Sequence, residues 1–345
     1  MTLRVEDWRG EGDGREAVRA ALRSVPWLPF RRGFGLGAEA VERGAMATLD
    51  ATVAKGTGAG RVLVALRGDR VTALMALARH PFESEMFGIP MARSGFAQVV
   101  PTADDAADDA ADALLEAAVS ACAAWGCRHL SLLVPGDDAP LTRAAIRRRW
   151  LLADSTLDFT WDVEREAVRS GRCTDDVVVR AGGPEDAGVL SQMARETYTT
   201  SIRTRYLNDP RLSTRATGRL YAEWAERACE GSFADRVAVA EVDGRIVGFD
   251  MVKLDPTLSD ALGVGVGRKG IAAVDPAARG RGITSCMEAF LNQWQRDQGG
   301  RFNSGRVLFN NLAMQHALAK VGGVVTAAYH TFHGWLGDQG GGGEA

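Results

Sequence analysis

Apolar positions along the chain change period several times, and each change marks an element. Residues 61–66 (RVLVAL) and 70–77 (RVTALMAL) are apolar runs on either side of Gly68-Asp69, which predicts a pair of antiparallel strands. Residues 91–100 (MARSGFAQVV) predict another strand. After it the period lengthens to that of a helix. Thr102 caps it, and Asp104 and Asp105 fall in a first turn whose dipole favours anions. Leu114, Ala117, Ala118 and Ala121 recur on one face, and Gly126 stops the run. A strand at 128–135, a helix ending in RAAIRRRW and a strand at 154–163 close this half.

A polar stretch, residues 164–176, reads as a linker. Beyond it come a strand at 177–182 and a helix at 183–198 opened by Pro184, Glu185 and Asp186. A second helix at 218–231 follows, then a hairpin of 236–242 and 245–254 across Asp243-Gly244. A strand at 269–274 leads through an Arg/Gly turn into a helix that runs through Trp294. A strand at 306–309, a short helix and a strand at 324–336 complete the order, and 337–345 reads as a flexible Gly-rich tail. Both halves therefore predict an α/β fold with a mixed sheet and helices on its faces, one architecture used twice. The expected domains are 1–163 and 177–336.

Composition narrows the function classes. The chain has 345 residues, 46% hydrophobic and 25% charged, with a net charge of −3, which suits two globular domains and no general polyanion binder. Arg143, Arg147, Arg148 and Arg149 lack interleaved aromatics and read as a solvated helix face, so no nucleic-acid partner is expected. The first residues contain no apolar signal core, and the longest apolar run, 114–127, holds Glu116 and is too short to span a bilayer. The five cysteines show no CxxC spacing and read as reduced thiols of a cytoplasmic protein.

The candidate chemistry sits at Arg279-Gly280-Arg281-Gly282-Ile283-Thr284, where a strand turns directly into a helix. A helix start offers about four unpaired N–H groups and roughly half a positive charge, and glycines let a phosphate approach them without meeting a Cβ. The two arginines add charge-assisted contacts, so the turn fits a diphosphate cradle. Rival phosphate loops fail. No P-loop sequence exists, residues 33–40 (GFGLGAEA) follow no strand, and residues 263–270 (GVGVGRKG) precede a strand and read as loop glycines.

Residues 274–283 (VDPAARGRGI) resemble motif A of the GCN5-related N-acetyltransferases (GNATs), and residues 310–323 (NNLAMQHALAKVGG) are similar to their motif B helix, with Asn311, Lys320 and Gly322 at matching spacing. Residues 204–235, 82–93 (FESEMFGIPMAR) and 326–336 (TAAYHTFHGWL) resemble segments of the TDP-fucosamine acetyltransferase branch. The resemblance implies two tandem GNAT domains. The first is degenerate, since nothing in 1–163 looks like a second R-G-x-G turn. The second is an acyl-CoA-dependent N-acyltransferase domain acting on an amino sugar. That sugar is nucleotide-linked, or attached to a natural product as for the glycopeptide-antibiotic N-acyltransferases.

By the same resemblance Ala273 and Val274 meet the pantetheine arm and thioester, Arg279, Gly280, Arg281, Gly282, Ile283, Thr284 and Ser285 hold the diphosphate, and Asn311 adds a further contact. A homodimer is implied as well. Tyr198, Arg205 and Tyr206 fall in the acceptor-side segment, with packing as the alternative reading, and Asp250 is either a proton acceptor or an exposed strand acid. Two positions depart from the family: Thr284, where the turn usually ends in Gly or Ala, and more seriously Leu318, which stands where a tyrosine usually protonates the leaving thiolate. His316, Tyr329 and His330 are the candidate replacements. His316 lies about 200° around the helix from Leu318, outward from the stripe Met314, Ala317, Leu318 and Val321. His330 and His333 face opposite sides of a strand, so no metal site is expected there. A non-catalytic sensor of CoA or of an amino sugar is the rival reading.

Overall fold

The computed structural model describes residues 2–12, 14–25, 28, 30–31, 35–101, 106–165 and 172–337. The expected caps at 102–105 and the tail beyond 337 lie outside these residues. In chain order the elements begin with β1 (Leu3–Trp8), α1 (Gly14–Ser24), α2 (Ala38–Val53), β2 (Gly60–Arg67), β3 (Arg70–Arg79) and α3 (Pro81–Phe87). Next come β4 (Met91–Val99), α4 (Ala106–Ala124), β5 (His129–Pro135), α5 (Ala139–Arg147) and β6 (Leu151–Asp162). The second series runs β7 (Val177–Ala181), α6 (Ala187–Glu196), a π-helical turn (Thr197–Ser201), α7 (Arg205–Asn208), α8 (Thr214–Cys229), β8 (Arg236–Val242) and β9 (Arg245–Leu254). It ends with α9 (Pro256–Leu262), β10 (Gly265–Lys269), β11 (Ala273–Val274), α10 (Ile283–Asp297), β12 (Gly300–Leu308), α11 (Leu312–Lys320) and β13 (Val324–Trp335).

The chain forms two compact units. In the first, strands follow the order β1-β2-β3-β4-β5-β13, with β4 and β5 parallel and β13 antiparallel to β5 through residues 329–335. Helix α4 buries Ala110, Leu114, Ala118 and Ala121 against Leu63, Met75, Leu77 and Leu132, which explains its alanine-rich face. The arginines of α5 are not simply solvated. Arg143 pairs with Asp108 at 2.8 Å and Arg147 with Asp112 at 2.5 Å, so they stitch α5 to α4.

The second unit orders its strands β6-β12-β10-β9-β8-β7, with β11 on β9. Residues 156–162 of β6 belong here, antiparallel to β12. Helix α10 lays Ile283, Met287 and Leu291 on Ala238, Ala240, Val247 and Val252 of the sheet. Two sequence expectations change. Residues 265–269 are a strand rather than loop glycines, because a Cβ on Gly265 would come within 2.6 Å of Gly299 O and one on Gly267 within 2.5 Å of Gln295 Oε1. The expected strand at 269–274 is broken: β10 ends at Lys269, Gly270 N still donates to Met251 O at 3.0 Å, and strand pairing resumes at Ala273.

Elements hidden from the periodicity complete the duplication. With β1, α1, α2 and α3 in the first series and α9 in the second, the two share one order. The likeness reaches single atoms at α3 and α9. Pro81 and Pro256 open the helices, and Gly88 and Gly263 end them at φ 66° and 69°. Ser84 Oγ donates to His80 O and accepts from Met91 N at 2.9 Å, and Ser259 Oγ donates to Asp255 O and accepts from Val266 N at 2.9 Å. One serine in each unit thus ties a short helix to the strand that follows it.

This register isolates what the second unit adds. Where the first has Met75 and Ser94, the second has Asp250 and Lys269. Asp250 is not the exposed acid expected from the sequence. Asp250, Lys269 and Glu288 have side chains 0%, 6% and 1% exposed, and the lysine pairs with both carboxyls, at 2.5 Å for Glu288. Burial pushes the Glu288 carboxyl up from 4.5 to about 7, so the trio is a Lys269–Asp250 ion pair beside a carboxyl that resists ionising.

Two outcomes follow for stability. Lys269→Met leaves Asp250 buried without its cation and is expected to cost about 3–5 kcal/mol in a urea titration, where a loss below about 1 would contradict the pairing. Between pH 4.5 and about 7 the folded protein holds a Glu288 proton that the unfolded chain releases. Its contribution therefore falls as pH rises through that window, and Glu288→Gln should flatten this part of the stability profile.

Candidate functional site

The break after β10 opens onto the Arg/Gly turn. Asp275 Oδ1 accepts from Ala277 N at 2.9 Å, which closes a 3-10 turn over Pro276–Ala278, and buried Ala278 anchors that turn in the core. Gly280 and Gly282 then take φ of 81° and 79°, conformations open to glycine, and α10 starts at Ile283. The two glycines serve different ends. A Cβ on Gly280 meets nothing within 4 Å, whereas one on Gly282 would lie 2.2 Å from Arg172 O.

Residues 172–176 pack along the back of the turn. Thr174 N donates to Arg281 O at 3.1 Å, Arg281 Nε donates to Thr174 Oγ1 at 3.2 Å, and Arg281 pairs with Asp176. Arg281 is thereby turned to the linker side, while Arg279 is exposed. Cys173 and Cys286 form a disulfide with Cα atoms 5.9 Å apart, which corrects the expectation of five reduced thiols. A sequence separation of 113 gave no spacing signal for it. Cys122, Cys127 and Cys229 are free and buried.

A cavity of about 620 Å³ lies in front of the turn, within the second unit. It is lined by Ala273, Val274, Arg279, Gly280, Gly282, Ile283, Thr284, Ser285 and Asn311, so of the expected cofactor residues only Arg281 lies outside it. Asn311 caps α11, its Oδ1 accepting from Met314 N at 3.2 Å, which leaves its amide N–H groups to donate elsewhere. Leu318 is fully buried with Phe159, Trp161, Val307 and Val321, so the position of the missing tyrosine is a core position here. His316 does point away from that core, and this places it on the cavity wall together with Ala313, Ala317 and Lys320.

The other candidates lie elsewhere. Tyr329 and His330 belong to the first unit, opposite Pro135 and Val134 of β5, with His330 Nδ1 2.8 Å from Ser155 Oγ. Tyr198 is buried, and its hydroxyl donates to Ala272 O at 3.1 Å. Arg205 lies over the Tyr206 ring at 4.3 Å, and Tyr206 is buried beside Tyr221. The acceptor-side segment reaches the cavity through Thr197, Ser201, Ile202 and Arg203 instead. These were missed because a π-turn advances more than 3.6 residues per turn and erases the helical period that sequence patterns rely on.

The cavity's chemistry is one-sided. Arg203, Arg279, Lys320 and the α10 N-terminus face it, and none of its described lining residues is a carboxylate. Such a wall receives an extended anion.

No family model matches the chain. A tandem GNAT protein from the clavulanic acid biosynthesis pathway has the same fold, with 14% identity and a TM-score of 0.54, over 98% of this chain and 100% of that one. A GCN5-related N-acetyltransferase from Sphaerobacter thermophilus matches at 14% identity and TM-score 0.58, over 96% of this chain and 95% of that one. The fold is that of the tandem GNAT proteins. The glucosamine N-acetyltransferase region of a fungal multi-domain GH3 β-N-acetylglucosaminidase shares it, with 15% identity and TM-score 0.57, over 96% of this chain and 38% of that one. In sequence, the chain is 24% identical over 158 residues to the spore coat polysaccharide biosynthesis protein SpsD of Bacillus subtilis (strain 168), a match over 45% of this chain. The match covers 50% of that protein's length.

Within this GNAT repeat, Pro101 falls in register with Pro276, so Asp104 and Asp105 stand in sequence where Arg279 and Gly280 stand in the second unit. The sequence of the first unit therefore carries two acids at the positions that match the Arg/Gly turn of the second.

The disulfide gives a direct check. Alkylation of the unfolded, unreduced protein should modify Cys122, Cys127 and Cys229 and spare the other pair, and Cys173→Ser should lower stability by about 2–4 kcal/mol. Labelling of all five thiols before reduction would contradict it.

Proposed function

We propose that the protein transfers an acyl group from acyl-CoA to the primary amine of an amino sugar. The observation that carries this reading is the cavity at the head of α10, cationic and without a carboxylate among its described lining residues, inside a GNAT fold. The diphosphate of CoA lies against the N–H groups of Ile283, Thr284 and Ser285, which have no acceptor within the helix. Gly280 admits it, and Arg279 adds a charge-assisted contact. The pantetheine arm runs along Ala273 and Val274 toward the Asn311 amide. The amine attacks the thioester carbon, the nitrogen gives up a proton, and the sulfur leaves as thiolate.

The acceptor class follows from what the wall lacks. With no carboxylate among the described lining residues, none of them pairs with an ammonium, and His316 is left as the side chain that can take up its proton. An amine of lowered basicity, which gives up its proton more readily than an alkylamine, suits such a site. The electron-withdrawing oxygens of a sugar ring lower the basicity of its amino group in this way, and a simple alkylamine lacks them. The fungal glucosamine N-acetyltransferase region and the polysaccharide-biosynthesis protein SpsD are consistent with a sugar acceptor. His316 is the lining side chain suited to move a proton near neutrality, and we assign it the exchange between amine and thiolate that Leu318 cannot perform.

Thermal unfolding with CoA, acetyl-CoA and a medium-chain acyl-CoA tests the donor. At about a hundred times its dissociation constant each ligand should stabilise the protein by about 2.7 kcal/mol, and no shift with any of them would remove the cofactor from the site. Gly280→Asp should weaken CoA binding at least about tenfold, whereas Gly280→Asn, which tolerates the same backbone, should change it by less than about threefold. His316→Ala should lower kcat about 10²-fold with acyl-CoA affinity unchanged. CoA binding with no turnover of any amine would leave a binding protein in place of the enzyme.

A further inference from the structure

The break between β10 and β11 carries a second message. In a strand the N–H and C=O of one residue point to the same side, toward a neighbouring strand. At Ala272 that neighbour is a side chain. Tyr198 Oη donates to Ala272 O at 3.1 Å and accepts from Ala272 N at 3.3 Å. One hydroxyl therefore fills the place of a partner peptide for a residue that is buried and lines the cavity.

Tyr198 is itself held firmly. Its ring stacks on Tyr221 of α8 with centroids 3.9 Å apart and planes 3° from parallel. It sits in the π-turn Thr197–Ser201, whose first and last residues, Thr197 and Ser201, line the cavity. That turn reaches the cavity from the side opposite the Arg/Gly helix in sequence order, so a single hydroxyl joins the strand along the donor arm to the segment bordering the rest of the cavity. Burial raises the tyrosine's proton affinity, which keeps the hydroxyl neutral and able to donate and accept at once.

From this geometry we propose that Tyr198 is a positioning residue for acyl transfer, holding the Ala272 peptide so that the strand edge stays open for the acyl-CoA arm. The proposal rests on the acyl-CoA reading of the cavity. It assigns Tyr198 no contact with substrate: the residue does not line the cavity, and it acts through Ala272. Without the hydroxyl, the Ala272 peptide has to find another partner, and closing the strand onto its neighbour would remove the edge that the thioester arm requires.

Tyr198→Phe keeps the ring and its stack and deletes only the clamp. The expected result is an acyl-CoA dissociation constant and KM raised about tenfold, with a smaller change in kcat, while the unfolding midpoint without ligand shifts little. Tyr198→Leu removes the stack as well and should lower the midpoint clearly. Hydrogen exchange on the wild-type protein gives a reading independent of any variant's folding: the Ala272 amide should be protected before ligand is added. Unchanged acyl-CoA affinity in Tyr198→Phe, or rapid Ala272 exchange in the unliganded wild type, would overturn the clamp while leaving the acyl-CoA site standing. Wild-type protein that binds no CoA would instead overturn the site reading and the clamp's role together.

Discussion

A strand that stops pairing inside a protein must find new partners for its peptides, and that requirement organises the second unit. Between Gly270 and Ala273 the pairing with β9 is interrupted, and Ala272 within this gap lines the cavity. Each flank of the gap is secured by polar contacts from buried groups. Lys269 is fixed by Asp250 and Glu288, Ala272 by Tyr198, and Asp275 N by Val247 O at 2.8 Å. Buried charges and hydroxyls cost desolvation wherever they occur. They concentrate around this one gap, whereas Met75 and Ser94 stand at the places of the first unit that match Asp250 and Lys269.

The same comparison explains how one architecture comes to serve two ends. Both units keep the devices that close the fold, down to a serine bridging a short helix and its strand. They differ at the turn into the helix after the break. In one unit Arg279 and Gly280 face the cavity beside the N-terminus of α10, while in sequence the other unit carries aspartates at the matching positions. Charge at a helix N-terminus acts within the first turn, so a handful of side chains suffices to switch the property.

Much of this was legible beforehand, and for identifiable reasons. The β2–β3 and β8–β9 hairpins follow from apolar runs around Gly68-Asp69 and Asp243-Gly244, and the Arg/Gly turn from its place between a strand and a helix. Short helices such as α3 and α9 escaped because seven residues carry too little period to register, so the repeat was legible in its order of elements but not in these details. Asp250 looked exposed because a lone acid on a strand ordinarily is. Only the fold brings Lys269 and Glu288 to it. The disulfide links residues whose spacing signals nothing. His316 was read correctly as pointing away from the core, yet a cavity wall is also away from the core, and a helical wheel does not distinguish the two.

The placement of the terminal strands has a consequence for how the molecule is made. Residues 156–162 complete the sheet of the second unit, and residues 329–335 complete that of the first. Cutting the chain between the two series would strip each sheet of an edge and leave each fragment carrying a strand that belongs to the other. Residues 129–135 of β5 must find residues 329–335 of β13 across the entire second series. The first unit's sheet is therefore closed by a pairing of long sequence separation, the kind that forms slowly.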